Sequence, residues 1–199
     1  MGEGTDAYAA LLADPDVSVV GFEPHAPACA ARNEGAPPNR RFLPYFVGDG
    51  SERTFHRCAN PLTSSLYEPD PDVLGLFQNM PIPVVGTERV ATRRLDEIDD
   101  VRGCDFLKVD VQGAELDVLK GARRVLAQAL VVHVEVEFVP IYKDQPLFGD
   151  VDVFLRAEGF MFHRFEGLFS RQLVPMVLGG DPFAAGSQLM FAEAAVYVR

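Results

Sequence analysis

Residues 106–122 are the sequence feature that most constrains the fold. An apolar run from 106 to 109, interrupted only by Lys108, ends on Asp110, and the pair Gln112 and Gly113 then marks a turn before a helical pattern. This order predicts a strand, a turn and a helix, which is half of a βαβ unit. Open parallel sheets bind ligands beyond the carboxyl ends of their strands. Asp110 is therefore predicted to lie where a small molecule binds.

The helix of this unit is predicted by the spacing of apolar residues after Gly113. They recur at i, i+1, i+4, i+7 and i+8 from Val118 to Leu126, with charged residues between them. Glu115 falls in the first turn, where the helix dipole stabilises a carboxylate. We therefore interpret Glu115 as a structural residue.

The next strand, predicted over residues 130–138, alternates valines on one side with polar residues on the other. The polar side carries His133, Glu135 and Glu137, a run that could also coordinate a divalent ion, although no second ligand cluster is evident. A half-exposed strand would give the same pattern, but a strand that follows a crossover helix is usually interior to its sheet. On that interpretation Glu135 faces the same crevice as Asp110, and both are candidates for catalysis.

Two further strands are predicted to end in an acid. The first ends at Glu23 and is followed by Pro24. Nucleotide-like cofactors are often held by a glycine loop, a helix and then a strand that ends in an acid. The spacing from Gly2 and Gly4 to Glu23 matches this arrangement. The second, over residues 41–47, precedes Asp49 and Gly50. A solvated acid at a strand end and a common Gly-Asp-Gly turn remain open as alternatives.

A loop of small polar residues follows Asp49. Ser64, Ser65 and Tyr67 supply hydroxyls that suit a polar substrate pocket, although such clusters also mark ordinary turns. Residues 68–83 are rich in proline, and we interpret them as a surface connection.

Alternating strands and helices predict an α/β fold with a parallel, doubly wound sheet in one domain.

The 29 acidic and 18 basic residues give a net charge of −11, which disfavours nucleic acid and membrane surfaces as partners. The three cysteines show no disulfide or zinc spacing, and no metal ligands are assigned. No leader or membrane-spanning run is evident, so we expect a soluble, cytoplasmic protein.

Five motifs occur in order along nearly the whole chain and resemble the FkbM family of S-adenosylmethionine-dependent methyltransferases. The most specific is Lys-Val-Asp-Val-Gln-Gly-Ala-Glu at residues 108–115, joined to Val-Leu-Lys-Gly-Ala at 118–122. The others are residues 20–24, 47–51, 63–67 and 146–160.

The resemblance implies a Rossmann-like methyltransferase sheet, mostly parallel with an antiparallel last strand. It also implies methyl transfer from S-adenosylmethionine to a hydroxyl of a small molecule, sugar or secondary metabolite. Glu23 and Pro24 would contact the cofactor, with Glu23 at the ribose, and so would Asp49 and Gly50, with Asp49 at the adenine end. Asp110 would also contact the cofactor and, with Glu135, would serve catalysis. The acceptor would be faced by Ser64, Ser65, Tyr67 and Gln112.

The N-terminus departs from the family pattern, because Met1 stands where a strand and an Asp-x-Gly-x-Asn-x-Gly turn would precede the first helix. We therefore expect a single methyltransferase domain over residues 1–199 that lacks the first strand and part of the glycine loop. An alternative is an inactive remnant that binds a partner, for instance a second copy in a homo-oligomer, through an unpaired sheet edge. A dinucleotide-dependent oxidoreductase is more distant, since the full glycine fingerprint is absent.

Overall fold

The computed structural model describes residues 8–199, which fall into two compact units divided between Val47 and Gly48. The expectation of a single domain stays a prediction. Gly2 and Gly4, predicted to belong to the cofactor loop, lie outside the described residues.

The described part of the first unit is a small parallel β-α-β arrangement. Its two main strands pair in parallel, with Val19 opposite Arg40. The strand predicted over residues 41–47 is interrupted at Pro44, because proline has no amide hydrogen to donate to a neighbouring strand. The elements are α1 (Ala9–Ala13), β1 (Val19–Phe22), α2 (Ala26–Glu34), β2 (Arg40–Leu43) and β3 (Phe46–Val47).

The second unit begins with a long antiparallel pair. Strand β4 (Glu52–Cys58) pairs with β5 (Val84–Arg93), with His56 opposite Thr87. The chain between them contains a 3-10 turn (Pro61–Thr63) and a short helix, α3 (Pro71–Leu74). The proline-rich stretch that was predicted to be a surface connection thus contains one helical turn.

A four-stranded sheet carries the rest of the second unit, in the order β6-β7-β9-β8. Its strands are β6 (Phe106–Val109), β7 (Val131–Glu137), β8 (Met161–Arg171) and β9 (Gln188–Val198). Strands β6 and β7 are parallel, whereas β9 runs antiparallel to both β7 and β8.

The predicted mixed α/β class is confirmed, and the last strand is antiparallel as expected. A mostly parallel, doubly wound sheet is not confirmed, since two of the three pairings in this sheet are antiparallel. Parallel neighbours require a crossover connection, usually a helix. Between β8 and β9 the chain forms only a 3-10 turn, Leu178–Gly180, and returns antiparallel.

The helix predicted after Gly113 is present but breaks into α4 (Glu115–Lys120) and α5 (Arg123–Leu126). Gly121 lies at the break, where an added Cβ would come within 2.3 Å of the Gly48 carbonyl oxygen. Asp96 then caps α5, because its carboxylate accepts the backbone amide of Arg124 at 2.9 Å. The two short helices are therefore held by the chain segments against which they pack.

The predicted helix near residue 150 is confirmed as α6 (Phe148–Ala157), and it stops just before Gly159, whose φ is +90°.

Strand β7 lies inside the sheet, where it pairs with β6 on one side and with β9 on the other. Both faces of this strand are covered, since Val134 and His133 are buried alike. Within residues 8–199, no helix combines the length and apolar character needed to cross a membrane.

Candidate active site

The turn that follows β6 is the centre of the candidate site. Gln112 and Gly113 both adopt left-handed backbone conformations, with φ of +59° and +98°. An added Cβ at Gly113 would lie 3.1 Å from Tyr142 Cδ2 and 3.1 Å from Gln145 Nε2. Glycine thus satisfies both the conformation and the limited space, whereas Gln112 tolerates a conformation that L-residues seldom adopt.

The structure brings the two predicted catalytic acids together. In the parallel pairing of β6 with β7, Val109 lies opposite Val134, so Asp110 and Glu135 come next on neighbouring strands. The side-chain amide of Gln112 donates to both carboxyl groups, at 3.2 Å to Asp110 Oδ1 and at 2.7 Å to Glu135 Oε2. The strained turn therefore positions one amide between two acids.

The two acids differ in protonation. Burial acts to raise the pKa of Asp110, but the hydrogen bond and positive charge of Lys108, whose Nζ lies 2.7 Å from Oδ2, hold it below its ordinary value. Burial, reinforced by the negative charge of Asp110, raises the pKa of Glu135 to about 10. At neutral pH the pair consequently holds one proton and one negative charge.

Two more carboxyl groups lie in the same electrostatic environment. Glu115 is buried, and its Oε1 accepts the backbone amide of Val111 at 2.8 Å, which ties the helix start to the turn. Burial raises the pKa values of both Glu115 and Glu137. The contact to Val111 agrees with the structural interpretation of Glu115, whereas Glu137 was not among the candidate catalytic residues.

The hydroxyl residues predicted to face an acceptor have partners within the protein. Ser65 is only 1% exposed, and its hydroxyl donates to the Gln112 carbonyl oxygen at 2.5 Å. Ser64 Oγ accepts the backbone amide of Cys58 at 3.1 Å. The Tyr67 hydroxyl donates to Asp117 Oδ2 at 2.9 Å. Ser65 thus supports the turn directly, and the acceptor roles of all three residues stay predictions.

Arg53 was missed by the sequence reasoning. Its Nη1 lies 2.7 Å from Asp117 Oδ2 and 4.0 Å from Asp49 Oδ2, and its guanidinium stands 4.8 Å from the centre of the Tyr67 ring. It therefore connects a predicted cofactor residue with a predicted substrate residue. No local pattern marks this role, because Arg53 and Asp117 are 64 positions apart.

Asp49 and Gly50 form a tight turn before β4. Asp49 Oδ1 accepts the Ser51 amide at 2.9 Å and the Ser51 hydroxyl at 2.5 Å, and the latter bond is the main cause that lowers the pKa of Asp49. Gly50 has a φ of +89°, and its amide donates to Thr92 Oγ1 at 3.0 Å. A partly exposed, ionised carboxylate results, although contact with adenine stays a prediction.

In the first unit, Glu23 follows β1 and precedes Pro24, as predicted. Its Oε2 accepts a hydrogen bond from Arg32 Nε of α2 at 3.2 Å, and its Oε1 accepts the His25 amide at 3.2 Å. The carboxylate is therefore held at the end of its strand, while its contact with a ribose stays a prediction.

Comparison with known protein families decides the identity of the chain. A family model described as the methyltransferase FkbM domain matches residues 3–162. The chain belongs to the FkbM methyltransferase family. The FkbM match includes every predicted site residue except Gly2. No curated protein and no solved structure matches the chain.

Proposed function

We propose that this FkbM protein is an S-adenosylmethionine-dependent O-methyltransferase with a Rossmann-like domain. Its acceptor would be a hydroxyl of a small molecule, sugar or secondary metabolite. The observation that carries this proposal is the Asp110–Gln112–Glu135 cluster at the carboxyl ends of two parallel, adjacent strands. We further propose a cytoplasmic location, which suits the free thiols of Cys29, Cys58 and Cys104.

The charges of the second unit suit this cofactor. A sulfonium is a cation, and the raised pKa values of Glu115, Glu135 and Glu137 reflect burial and a surplus of neighbouring carboxyl groups. A cation beside Asp110 would relieve that surplus. By family resemblance, Asp49 would hold the adenine end and Glu23 the ribose.

When bound, the cofactor would supply a methyl group whose bond to sulfur breaks, leaving the electron pair on sulfur, as its bond to the acceptor oxygen forms. Asp110 is ionised, so it accepts the proton that the acceptor hydroxyl must lose. Glu135 is protonated at neutral pH and so does not serve as the base. Gln112 fixes the separation of the two acids, and Lys108 keeps the charge on Asp110.

Calorimetry with S-adenosylhomocysteine tests the cofactor. We expect binding by the wild type and by Asp110→Asn, since the variant removes a base while keeping its shape. A radiolabelled methyl assay over a panel of hydroxylated acceptors should then show transfer by the wild type and a loss of at least a hundredfold in Asp110→Asn. Glu88→Gln, on the exposed side of β5, is the matched control.

Two results would count against the proposal. If S-adenosylhomocysteine does not bind the wild type, the methyltransferase function is wrong for this chain. If Asp110→Asn binds the ligand and retains full transfer, Asp110 is not the base.

A further inference from the structure

The proline-rich stretch of the second unit lines an open cavity of about 690 Å³. This volume lies within the range of about 300–1,000 Å³ that is usual for small-molecule sites. Its lining includes Leu74, Phe77, Met80, Ile82 and Val84. A segment that looked like a connection in the sequence thus lines a space of ligand size.

The lining has few groups that bind polar ligands. Four of its residues are prolines, which have no amide hydrogen to donate. Glu68 is already paired with Lys143, whose Nζ lies 2.7 Å from Oε1. Among the described residues that line the cavity, none is Lys, Arg or His. An anion would find no counter-charge there, and the chain's net charge of −11 would repel it.

The lining contains one exposed side-chain amide. Asn79 lines the cavity, is exposed, and lies on a left-handed backbone with a φ of +51°. The chemistry of the cavity therefore favours an uncharged ligand that is mostly apolar and carries few polar atoms.

Packing on Tyr142 links part of the cavity lining to the turn at Gln112 and Gly113. Leu74 and Phe77, which line the cavity, belong to the same buried cluster as Tyr142. The ring of Tyr142 also limits the space at Gly113, where an added Cβ would lie 3.1 Å from Cδ2. The Tyr142 hydroxyl donates to the Thr63 carbonyl oxygen at 3.0 Å. This hydrogen bond fixes the ring between Gly113 and the residues of the cavity lining.

From this arrangement we infer that the cavity holds the uncharged, apolar part of the methyl acceptor. The inference rests on the proposed function for its role in catalysis. The binding of an apolar ligand is testable without any cofactor.

The first experiment titrates the protein alone with the neutral fluorescent probe N-phenyl-1-naphthylamine. Val84 lines the cavity, whereas its neighbour Val85 does not, and both are exposed on β5. We expect saturable binding that Val84→Asp weakens at least tenfold and that Val85→Asp changes less than twofold. Absence of saturable binding, or equal losses in both variants, would overturn the inference.

The second experiment displaces the probe with 1-butanol, 1-hexanol, 1-octanol and, as a polar comparison, glucose. Each added methylene should improve displacement about fourfold, and glucose should not compete. Displacement by glucose where 1-hexanol fails would assign the cavity to a sugar and contradict the inference.

The third experiment connects the cavity to catalysis. With radiolabelled S-adenosylmethionine, we expect transfer to 1-hexanol by the wild type and at least tenfold less by Val84→Asp at unchanged S-adenosylhomocysteine affinity. Transfer to glucose but not to 1-hexanol would show that the cavity does not bind the methyl acceptor. Failure of S-adenosylhomocysteine to bind would overturn the proposed function instead, and the cofactor-free titration distinguishes the two failures.

Discussion

The Ser65 hydroxyl donates to the carbonyl oxygen of Gln112 over 2.5 Å, although the two residues are 47 positions apart in the chain. Ser65 Oγ also accepts the backbone amide of Tyr67 at 2.9 Å. One buried hydroxyl thus joins the hydroxyl-rich loop to the turn that carries the bridging amide. The orientation of Gln112 depends on a residue of another segment.

Replacement of Ser65 tests this dependence. Ser65→Ala leaves the Gln112 carbonyl and the Tyr67 amide without a hydrogen-bonding partner, so the free energy of unfolding should fall by about 1–3 kcal/mol in urea titrations. Methyl transfer should fall as well, because Gln112 loses its anchor. Thr63→Ala, which removes the hydroxyl contact to the Asn60 carbonyl oxygen and leaves both hydrogen bonds of Ser65 in place, is the control and should leave transfer near the wild-type rate. Equal losses of transfer in both variants would contradict the anchoring role.

Gly113 should be more sensitive to substitution than another glycine of similar backbone conformation. Gly113 and Gly103 both have positive φ, but an added Cβ meets Tyr142 and Gln145 at the first position and no atom within 4 Å at the second. Gly103→Ala should therefore lower the free energy of unfolding by about 1 kcal/mol through backbone strain alone. Gly113→Ala should lower it by roughly 1–3 kcal/mol more, because the added methyl group is crowded by its neighbours. Chemical denaturation of both variants measures the difference in stability. Equal losses of stability would show that the side chains around Gly113 move to accommodate the methyl group at little cost.

Glu135 should make the protein less stable as the pH rises. In the native state its pKa is raised to about 10 from an ordinary 4.5, so between these values the folded chain retains a proton that the unfolded chain has lost. The free energy of unfolding then falls with rising pH, by at most about 1.4 kcal/mol per pH unit from this group. Denaturation of Glu135→Gln between pH 6 and 9 should show a stability advantage over the wild type that grows with pH. A constant difference across this range would mean that Glu135 is ionised in the folded protein.

The ion pair between Arg53 and Asp117 should contribute measurably to stability. Arg53→Met leaves a carboxylate whose side chain is only 12% exposed without its nearest cation. We expect the free energy of unfolding to fall by about 2–4 kcal/mol. This is at the low end of the range for buried ion pairs, because the guanidinium is partly exposed. Tyr67→Phe, which keeps the ring beneath Arg53 and removes the hydroxyl, should cost about 1 kcal/mol. A double-mutant cycle with Asp117→Asn checks the coupling, and additive losses would show that the pair is weak.

The central part of the candidate site is predictable from the sequence because it depends on local pattern. The apolar run before Asp110 predicts β6, and the alternation around Glu135 predicts β7. Once the two strands are parallel neighbours, strand geometry alone brings the two acids together. The turn between β6 and α4 is likewise indicated by Gln112 and Gly113.

Other features depend on contacts between distant segments, and the sequence does not encode them locally. The helix after Gly113 has an unbroken apolar stripe, yet it divides at Gly121 because the chain packs closely against Gly48 there. Arg53 finds Asp117 only through tertiary packing. The pairing of β8 with β9 is also long-range, so the sequence alone favoured a more parallel sheet than the one observed.

The sheet order has a consequence for synthesis on the ribosome. Strand β9 is the last described strand to be made, yet it lies between β7 and β8. While the chain emerges, the edge of β7 that β9 later covers has no partner, and the strand bearing Glu135 stays half-paired. We therefore expect a nascent chain stalled before residue 188 to be cut readily by protease within β7, whereas a chain released after residue 198 resists. Protection of β7 in the stalled chain would mean that this strand folds without β9.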